Sequence, residues 1–570
     1  MASQSPKFEP LSLLEFQKEM FDDVFNSDCL LIASKGLGLH SLLLNVIEAY
    51  NSGKNLVLVI GASQDLEEFI VSHFRRKMCK RMPRIVNSDC GTNERSKLYE
   101  IGGTLLITSR ILVVDMLLKR IPIPEITGII VCKADLIVDS CQEAFILRLF
   151  RMHNKTGFIK GLSQNPMGFT QGFAKLDRVM RHLFVRDLFL WPRFHASISA
   201  SFDSRTKPEV IEIRLPLTQE MKTIQFALMD LISMCLKEMV RSNVALLSDM
   251  EGMTAENAIS PGFNRMIRLR FDPVWHQLSS KTKRFISDIN LLRELLFLLT
   301  NEDCVSFYAT LNAIRRNVKL GMDISDWLFW DPTQHLFRAA KERLFNVETN
   351  TEKAVLEVNQ KWLSFVEVIN EIKAEVNHET LTDDVNVVVI VEEERTIKKL
   401  QEVLDKGVDC LLNEIYQRNQ KTIAETPNEI SVNDVKRSSK LDESITLTQI
   451  VRNFDYKEEL FKKQGSFNIH YHCLYDGPLK LEQILREFKP WFFILYDPLM
   501  ETVRQLEVYQ ALKCSPEKSK VYFFLYDKSA EEQKYLTSLR KEKSAFEQLI
   551  KDKASMVIPV ERDGKNEHHP

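Results

Sequence analysis

The sequence has no paired cysteines, no excess of either charge and no long apolar run, and each lack excludes a class of protein. Its 570 residues carry 76 Lys+Arg against 78 Asp+Glu, a formal net charge of -2, so no global field draws it to nucleic acid. Any such contact must come from local basic patches. Ten cysteines stand singly, with no CxxC spacing, which argues against a disulfide framework or a zinc ribbon and fits a reducing compartment. The most apolar stretch, 105–118, is broken by Thr108, Ser109 and Arg110 and is too short to span a bilayer. The first ten residues are polar and lack the apolar centre of a signal peptide. The composition, 44% hydrophobic and 27% charged, is that of a globular chain, here read as soluble with no membrane partner. At 570 residues it exceeds what one core serves, and two to four domains are expected.

What is present is alternation. Segments 29–33, 56–60, 104–108 and 128–132 are continuous apolar runs, as strands of a parallel sheet covered on both faces require. Amphipathic stretches such as 42–50 and 64–76 separate them, so the first third reads as a doubly wound sheet. Ser140-Cys141-Gln142-Glu143 has the form of a capping box ahead of an apolar helix. The middle changes character: Met221, Ile224, Leu228, Ile232, Cys235 and Met239 recur at helical steps, and strand signals nearly vanish between 217 and 345. They return at 386–391, 467–473, 491–496 and 521–526. The resulting division is a first α/β lobe (1–205), an all-helical insertion (206–345), a second α/β lobe (346–560) and a tail (561–570). The polar, aperiodic stretch 421–443 reads as a mobile loop, and no internal repeat stands out.

After the first strand comes Ala33-Ser34-Lys35-Gly36-Leu37-Gly38-Leu39-His40-Ser41. A working phosphate loop, GxxxxGK[ST], surrounds phosphates with backbone amides, meets their charge with lysine and holds magnesium through a hydroxyl. Gly36 and Gly38 remain, but Leu39 stands at the lysine position and His40 at the hydroxyl position. The acidic pair expected after a later strand is likewise replaced by Cys132 and Lys133, leaving Asp135. The pattern is that of a degenerate nucleotide site with no catalytic residue and no bound cofactor; the alternative is a plain strand-to-helix turn.

Several strings are distinctive together. They include Gly36-Leu37-Gly38, Thr108-Ser109-Arg110-Ile111-Leu112-Val113-Val114-Asp115 and Glu143-Ala144-Phe145-Ile146-Leu147-Arg148-Leu149-Phe150-Arg151. Leu190-Trp191-Pro192-Arg193-Phe194-His195, Lys207-Pro208-Glu209-Val210 and Trp275-His276-Gln277-Leu278 continue the series, with Val503-Arg504-Gln505-Leu506-Glu507 and Leu539-Arg540-Lys541-Glu542-Lys543 near the end. From about residue 12 to about residue 562 the chain resembles the helicase-like region of the XPF family, the large subunit of a structure-specific DNA repair endonuclease. The resemblance implies two RecA-like lobes of degenerate helicase architecture around a helical insertion. It also implies a nuclear role in nucleotide excision repair, interstrand crosslink repair and recombination. The family's nuclease signature is a GD pair followed by ERK and aspartate, carboxylates that hold a divalent metal such as magnesium. No GD dipeptide occurs, and Glu561-Arg562-Asp563 lacks the lysine. The expectation is therefore a chain that lacks the nuclease and hairpin domains, does not cut DNA by itself, and meets the small excision-repair partner subunit only where those domains are present. Its implied partners are single-stranded and junction DNA and a repair scaffold protein. The competing readings are a DNA-stimulated ATPase or helicase, and an adaptor that binds proteins only.

Candidate surfaces each carry two readings. Arg75-Arg76-Lys77-Met78-Cys79-Lys80-Arg81-Met82-Pro83-Arg84, with Lys119 and Arg120, can neutralise phosphates or simply solvate a helix end. Ser109 and Arg110 follow a strand where, by the resemblance, a single-strand backbone is held; Arg110 pairing with a nearby acid is the structural reading. Arg315 and Arg316, with Lys281, Lys283, Arg284 and Lys319, are DNA contacts or exposed helix faces. Arg178, Arg181, Arg186 and Arg193 interleave with Phe189, Trp191 and Phe194, a mixture that stacks on single strands or fills a core. The helix from Thr218 docks a scaffold or packs inward. His470 and His472 share a strand face, two ligands where a metal needs three or four, and no metal site is assigned.

Overall fold

The computed structural model describes residues 13–79, 81–172, 174–205, 207–242, 253–260, 262–271, 275–319, 325–345, 354–378, 385–424, 461–464, 467–513 and 519–565. Its first lobe is built on β1 (Cys29–Ala33), β2 (Leu56–Ile60), β3 (Arg84–Val86), β4 (Gly103–Ile107), β5 (Gly128–Val131), β6 (Phe158–Ser163) and β7 (Asp187–Trp191). These form one parallel sheet in the order β3-β4-β2-β5-β6-β1-β7. Strands β1, β2, β4 and β5 are buried along their whole length, because helices cover both faces.

The second sheet runs β10-β11-β9-β12-β13-β8, from β8 (Glu209–Leu215), β9 (Val385–Val391), β10 (Phe461–Gln464), β11 (Phe467–Cys473), β12 (Phe492–Leu495) and β13 (Lys520–Tyr526). All its pairings are parallel except β10 with β11. Between β8 and β9 lies the helical domain, whose Gln219–Ser242, Ser280–Asn301, Cys304–Lys319, Asp331–Glu342 and Gln360–His378 helices contribute to one core. The architecture is thus two parallel-sheet α/β lobes with a helical insertion.

Three details depart from the sequence expectation. The helical insertion was expected from residue 206, yet 209–215 pairs with β13 along its length, so the insertion lies inside the second lobe. Alternating Glu209, Glu212 and Arg214 with Val210, Ile211 and Ile213 mark a half-exposed edge strand, which lacks the apolar run of a buried one. Ser140 does not cap the next helix: Cys141 does, its Sγ accepting from the Ala144 amide at 3.4 Å, while Glu143 is taken by Ser109. The loop expected over 421–443 begins as helix, since Val408–Ala424 is one element, and the rest of that stretch lies outside the described residues.

The helical domain is fastened to the second lobe through Lys361. Its side chain is fully buried, and Nζ reaches Glu531 Oε1 at 2.7 Å, Asp497 Oδ1 at 3.4 Å, the Tyr496 carbonyl at 3.1 Å and Asn301 Oδ1 at 3.2 Å. Burial works to lower its pKa, but the Glu531 and Asp497 carboxylates outweigh that and hold it above the ordinary lysine value. Removing one member of a buried ion pair strands the other charge. Lys361→Met is expected to cost about 3–5 kcal/mol, read as a lower urea midpoint at unchanged slope.

Candidate nucleotide site and nucleic-acid surface

β1 delivers the chain into the turn Ser34–Gly38, and the Leu39–Tyr50 helix starts there. Gly36 and Gly38 both take φ of +84°, a left-handed conformation that favours glycine. The turn's contents differ from those of a phosphate loop. Leu37 and Leu39 are buried in the first-lobe core with Phe16, Met20 and Leu42, so the lysine position now contributes packing and no charge. Gln17, from the Glu15–Asn26 helix, donates from Nε2 to the Leu37 carbonyl at 3.2 Å.

The second lobe covers the loop. A Cβ placed on Gly36 would fall 2.5 Å from the Glu501 carbonyl oxygen and 2.8 Å from Arg504 Cβ, both on the Met500–Leu512 helix. Arg504 Nη1 donates to both Glu542 oxygens at 2.8 and 2.9 Å and to the Lys35 carbonyl at 3.3 Å. Ser34 Oγ donates to Glu542 Oε1 at 2.7 Å and accepts from the Arg193 amide at 3.0 Å. Arg193 makes a two-pronged contact with Glu507 at 2.9 and 3.1 Å. Beside it, Ser41 Oγ donates to Glu482 Oε1 at 3.1 Å, and Arg486 pairs with the same carboxylate. His40 lies next to this cluster; burial lowers its pKa against the pull of Glu482 and Glu501. Lys35 remains exposed, with its Nζ 4.0 Å from Glu501.

At the end of β5, burial raises the Cys132 thiol to about 12, and Lys133 is exposed. Asp135 is buried and fully engaged: Ser163 Oγ donates to it at 2.9 Å, Asn165 Nδ2 at 2.9 Å, and Arg265 of the helical domain at 2.9 Å. Burial works to raise this carboxyl, but the hydrogen bonds of Arg265, Asn165 and Ser163 together hold it below the usual carboxylate range. The surviving acid therefore ties the first lobe to the insertion.

The basic candidates separate into several settings. Arg75, Arg76 and Arg81 are exposed around the turn from the Gln64–Arg76 helix into β3, Lys77 is paired with Glu48 at 2.5 Å, and Lys80 lies outside the described residues. Arg120 pairs at 3.2 Å with Asp115, a fully buried carboxylate also held by Arg95 at 2.9 Å and Tyr99 at 2.7 Å. Ser109 donates to Glu143 at 2.7 Å; Arg110 and Lys119 are exposed. In the helical domain Arg315 is exposed with its guanidinium 5.4 Å from the Phe337 ring centre, and Arg316 is half-buried.

The mixed aromatic and arginine stretch mostly serves the fold. Trp191 is core and donates to Asp23 at 3.2 Å, and Phe194 meets Phe546 edge-on at 6.4 Å. Arg186 pairs with Asp563 at 3.5 Å and Arg562 with Asp177 at 2.6 Å, so the tail lies along the first lobe. His470 stacks on Phe488 at 3.9 Å, and burial lowers the His472 pKa to about 4. The joint residues Ser34, Arg504 and Glu542 were not singled out by sequence. Their strings are distinctive, but partners 508 residues apart leave no local pattern.

No family model matches the chain. Among curated proteins it is similar to DNA repair endonuclease XPF of Mus musculus, 35% identical over 97% of this chain and 70% of that protein. To DNA repair endonuclease XPF of Cricetulus griseus it is 35% identical, over 97% of this chain and 69% of that one. Among solved structures it resembles the Pyrococcus furiosus Hef helicase domain at a TM-score of 0.55 and 16% identity, covering 92% of this chain and 98% of that one.

Two outcomes test the joint. Arg504→Ala strands the buried Glu542 carboxylate and is expected to lower unfolding free energy by about 3–5 kcal/mol. The Arg504→Ala/Glu542→Ala pair should lose less than the sum of the single changes, measured in a double-mutant cycle. Asp135, with its folded pKa depressed, contributes stability present above the unfolded value of about 3.9 and lost as pH falls through the folded value. Asp135→Asn should therefore be less stable at pH 7 and lose less stability between pH 7 and pH 3, followed by urea unfolding across that range.

Proposed function

The chain belongs to the XPF family of DNA repair endonucleases, and from that membership and the covered glycine loop we infer an ATP-independent, helicase-shaped platform for repair of DNA. The observation that supports the reading is Gly36: the Glu501 carbonyl and Arg504 of the second lobe pack directly on it, and in this reading they leave no room for a triphosphate beside the loop. Leu39, Cys132 and the engaged Asp135 support it, because charge for phosphate and for magnesium is missing or spent. In this reading the chain uses no nucleotide or metal of its own.

The platform binds DNA at junctions of single and double strand through phosphate contacts, with Arg75, Arg76, Arg81, Arg315 and Arg316 as the supporting cations. It also docks a repair scaffold and works in the nucleus. Phosphate contacts carry no sequence information, so preference among DNA forms comes from shape and affinity falls with salt.

Two measurements test the reading. Purified chain should release no phosphate from ATP with or without fork DNA, and Leu39→Lys/His40→Thr, which restores the phosphate-loop residue types, should still bind no ATP. DNA-stimulated release from the unmodified chain would overturn the platform. Fork, single-stranded and duplex DNA titrated at two salt concentrations should bind in the order fork first, with Arg75→Glu/Arg76→Glu weakening all three. Absence of binding at low salt would favour an adaptor that contacts proteins alone.

A further inference from the structure

Two neighbouring helices of the first lobe, Ser109–Leu117 and Gln142–His153, present apolar residues to solvent. They follow β4 and β5, run in the same direction, and start level with each other, because Ser109 Oγ donates to Glu143 at 2.7 Å. Their inner faces are spent on the core: Leu112 and Met116 on one, Ala144, Ile146, Leu147 and Phe150 on the other. Their outer faces carry Val114, Leu117, Phe145 and Met152, with Leu118 just beyond the first helix, all between 39% and 63% exposed. Half-buried Leu149 links Phe145 to Met152 at i, i+4 and i+7. Single exposed apolar residues are ordinary, but here five lie on the solvent side of two helices packed against each other.

The unpaired charges on these two helices and on the turn that ends the first are cations, with the exposed acid Glu125 nearby on the Ile123–Glu125 turn. Arg110, Lys119 and Arg148 are exposed, and no ion pair or side-chain hydrogen bond engages them among the described residues. The acids on the same helices are committed, Asp115 to Arg95, Tyr99 and Arg120, and Glu143 to Ser109. Lys119 sits at the helix end in a left-handed conformation with φ of 53°, where glycine would be cheaper.

We propose that this two-helix face docks an amphipathic helix of a protein partner, its apolar stripe flanked by Asp or Glu. The groove between parallel helices takes a third helix through apolar anchors at helical spacing, and the unpaired cations supply the complement to acidic flanks. A sugar-phosphate backbone would satisfy Arg110, Lys119 and Arg148 but offers nothing to bury Leu117, Leu118 and Met152 against, so protein is favoured over nucleic acid. This surface is separate from the cleft and does not depend on the nucleotide reading.

The test uses the whole chain and three labelled probes: a helical peptide with Leu and Phe at i, i+4 and i+7 flanked by Glu, the same peptide with Lys for Glu, and a single-stranded oligonucleotide. Fluorescence anisotropy should show the Glu peptide binding at least about tenfold tighter than the Lys peptide. Val114→Glu/Leu118→Glu and, separately, Arg110→Glu/Lys119→Glu should each weaken it by about tenfold or more, with thermal midpoints confirming that these surface changes leave the fold intact. Equal binding of the two peptides, no binding of either, or insensitivity to the Val114/Leu118 change overturns the proposal. Oligonucleotide binding that falls with the arginine and lysine changes while the Glu peptide fails to bind assigns the face to nucleic acid instead.

Discussion

Arg504 and Glu542 meet inside the joint between the lobes, each about 8% exposed, and Ser34 joins them from the loop after β1. Two charges removed from water pay a desolvation cost of several kcal/mol each, recovered only when geometry is good and the remaining lone pairs are engaged. Here both carboxylate oxygens accept from Arg504, and one also accepts from Ser34. Both members of the pair belong to the second lobe, on the Met500–Leu512 and Ala530–Ser555 helices, and they reach the first lobe through the Ser34 hydroxyl and the Lys35 carbonyl. Sliding or opening the joint would break the Ser34 and Lys35 contacts to this pair and the Arg193 contact to Glu507, so the closed register is the one in which all of them are made.

The apolar packing agrees with the charges. Val508 and Ala511 of the second lobe belong to the same core as Leu37, Leu39, Ile198 and Phe202 of the first. Phe546 and Leu549, on the long Ala530–Ser555 helix, sit in the other first-lobe core with Leu147, Phe150 and Ile159. Each core therefore includes residues from far along the chain, and separating the lobes would expose apolar surface as well as charge. If the proposed platform binds DNA across two lobes, this rigidity has a use. Contacts held at fixed spacing before binding lose less freedom when the ligand arrives.

How much of this was legible depended on the range of the interactions involved. β1 and β2 were readable residue by residue, because consecutive apolar positions in a strand leave few alternatives, and β11 through its alternation of apolar and polar residues. The Gln64–Arg76 helix was equally plain from its one-sided pattern. β8 escaped because an edge strand exposes one face and alternates Glu and Arg with Ile and Val, a pattern weaker than that of the helices after it. At the candidate site, the residues missing from the loop were visible at once, since Leu39 and His40 sit at positions with defined chemistry. What replaces the nucleotide was not visible, because Glu501, Arg504 and Glu542 reach the loop only through the fold.

In the proposed reading, the polar residues at the site show how a binding cleft can serve as a joint. A buried polar group that loses its ligand must find a protein partner or pay for its desolvation. Ser34 and Ser41 have found Glu542 and Glu482, and Asp135 has found Ser163, Asn165 and Arg265. The Ser34 and Ser41 contacts join the lobes, and Asp135 reaches the helical domain through Arg265 while Ser163 and Asn165 hold it within the first lobe. Where phosphate and metal would have been satisfied from outside, the chain satisfies itself, and the resulting bonds are the ones that bind its domains together. In the proposed reading, the uncharged Leu39 and the packing of Glu501 and Arg504 on Gly36 go together, since a cleft open to a ligand would not hold those two residues against the loop.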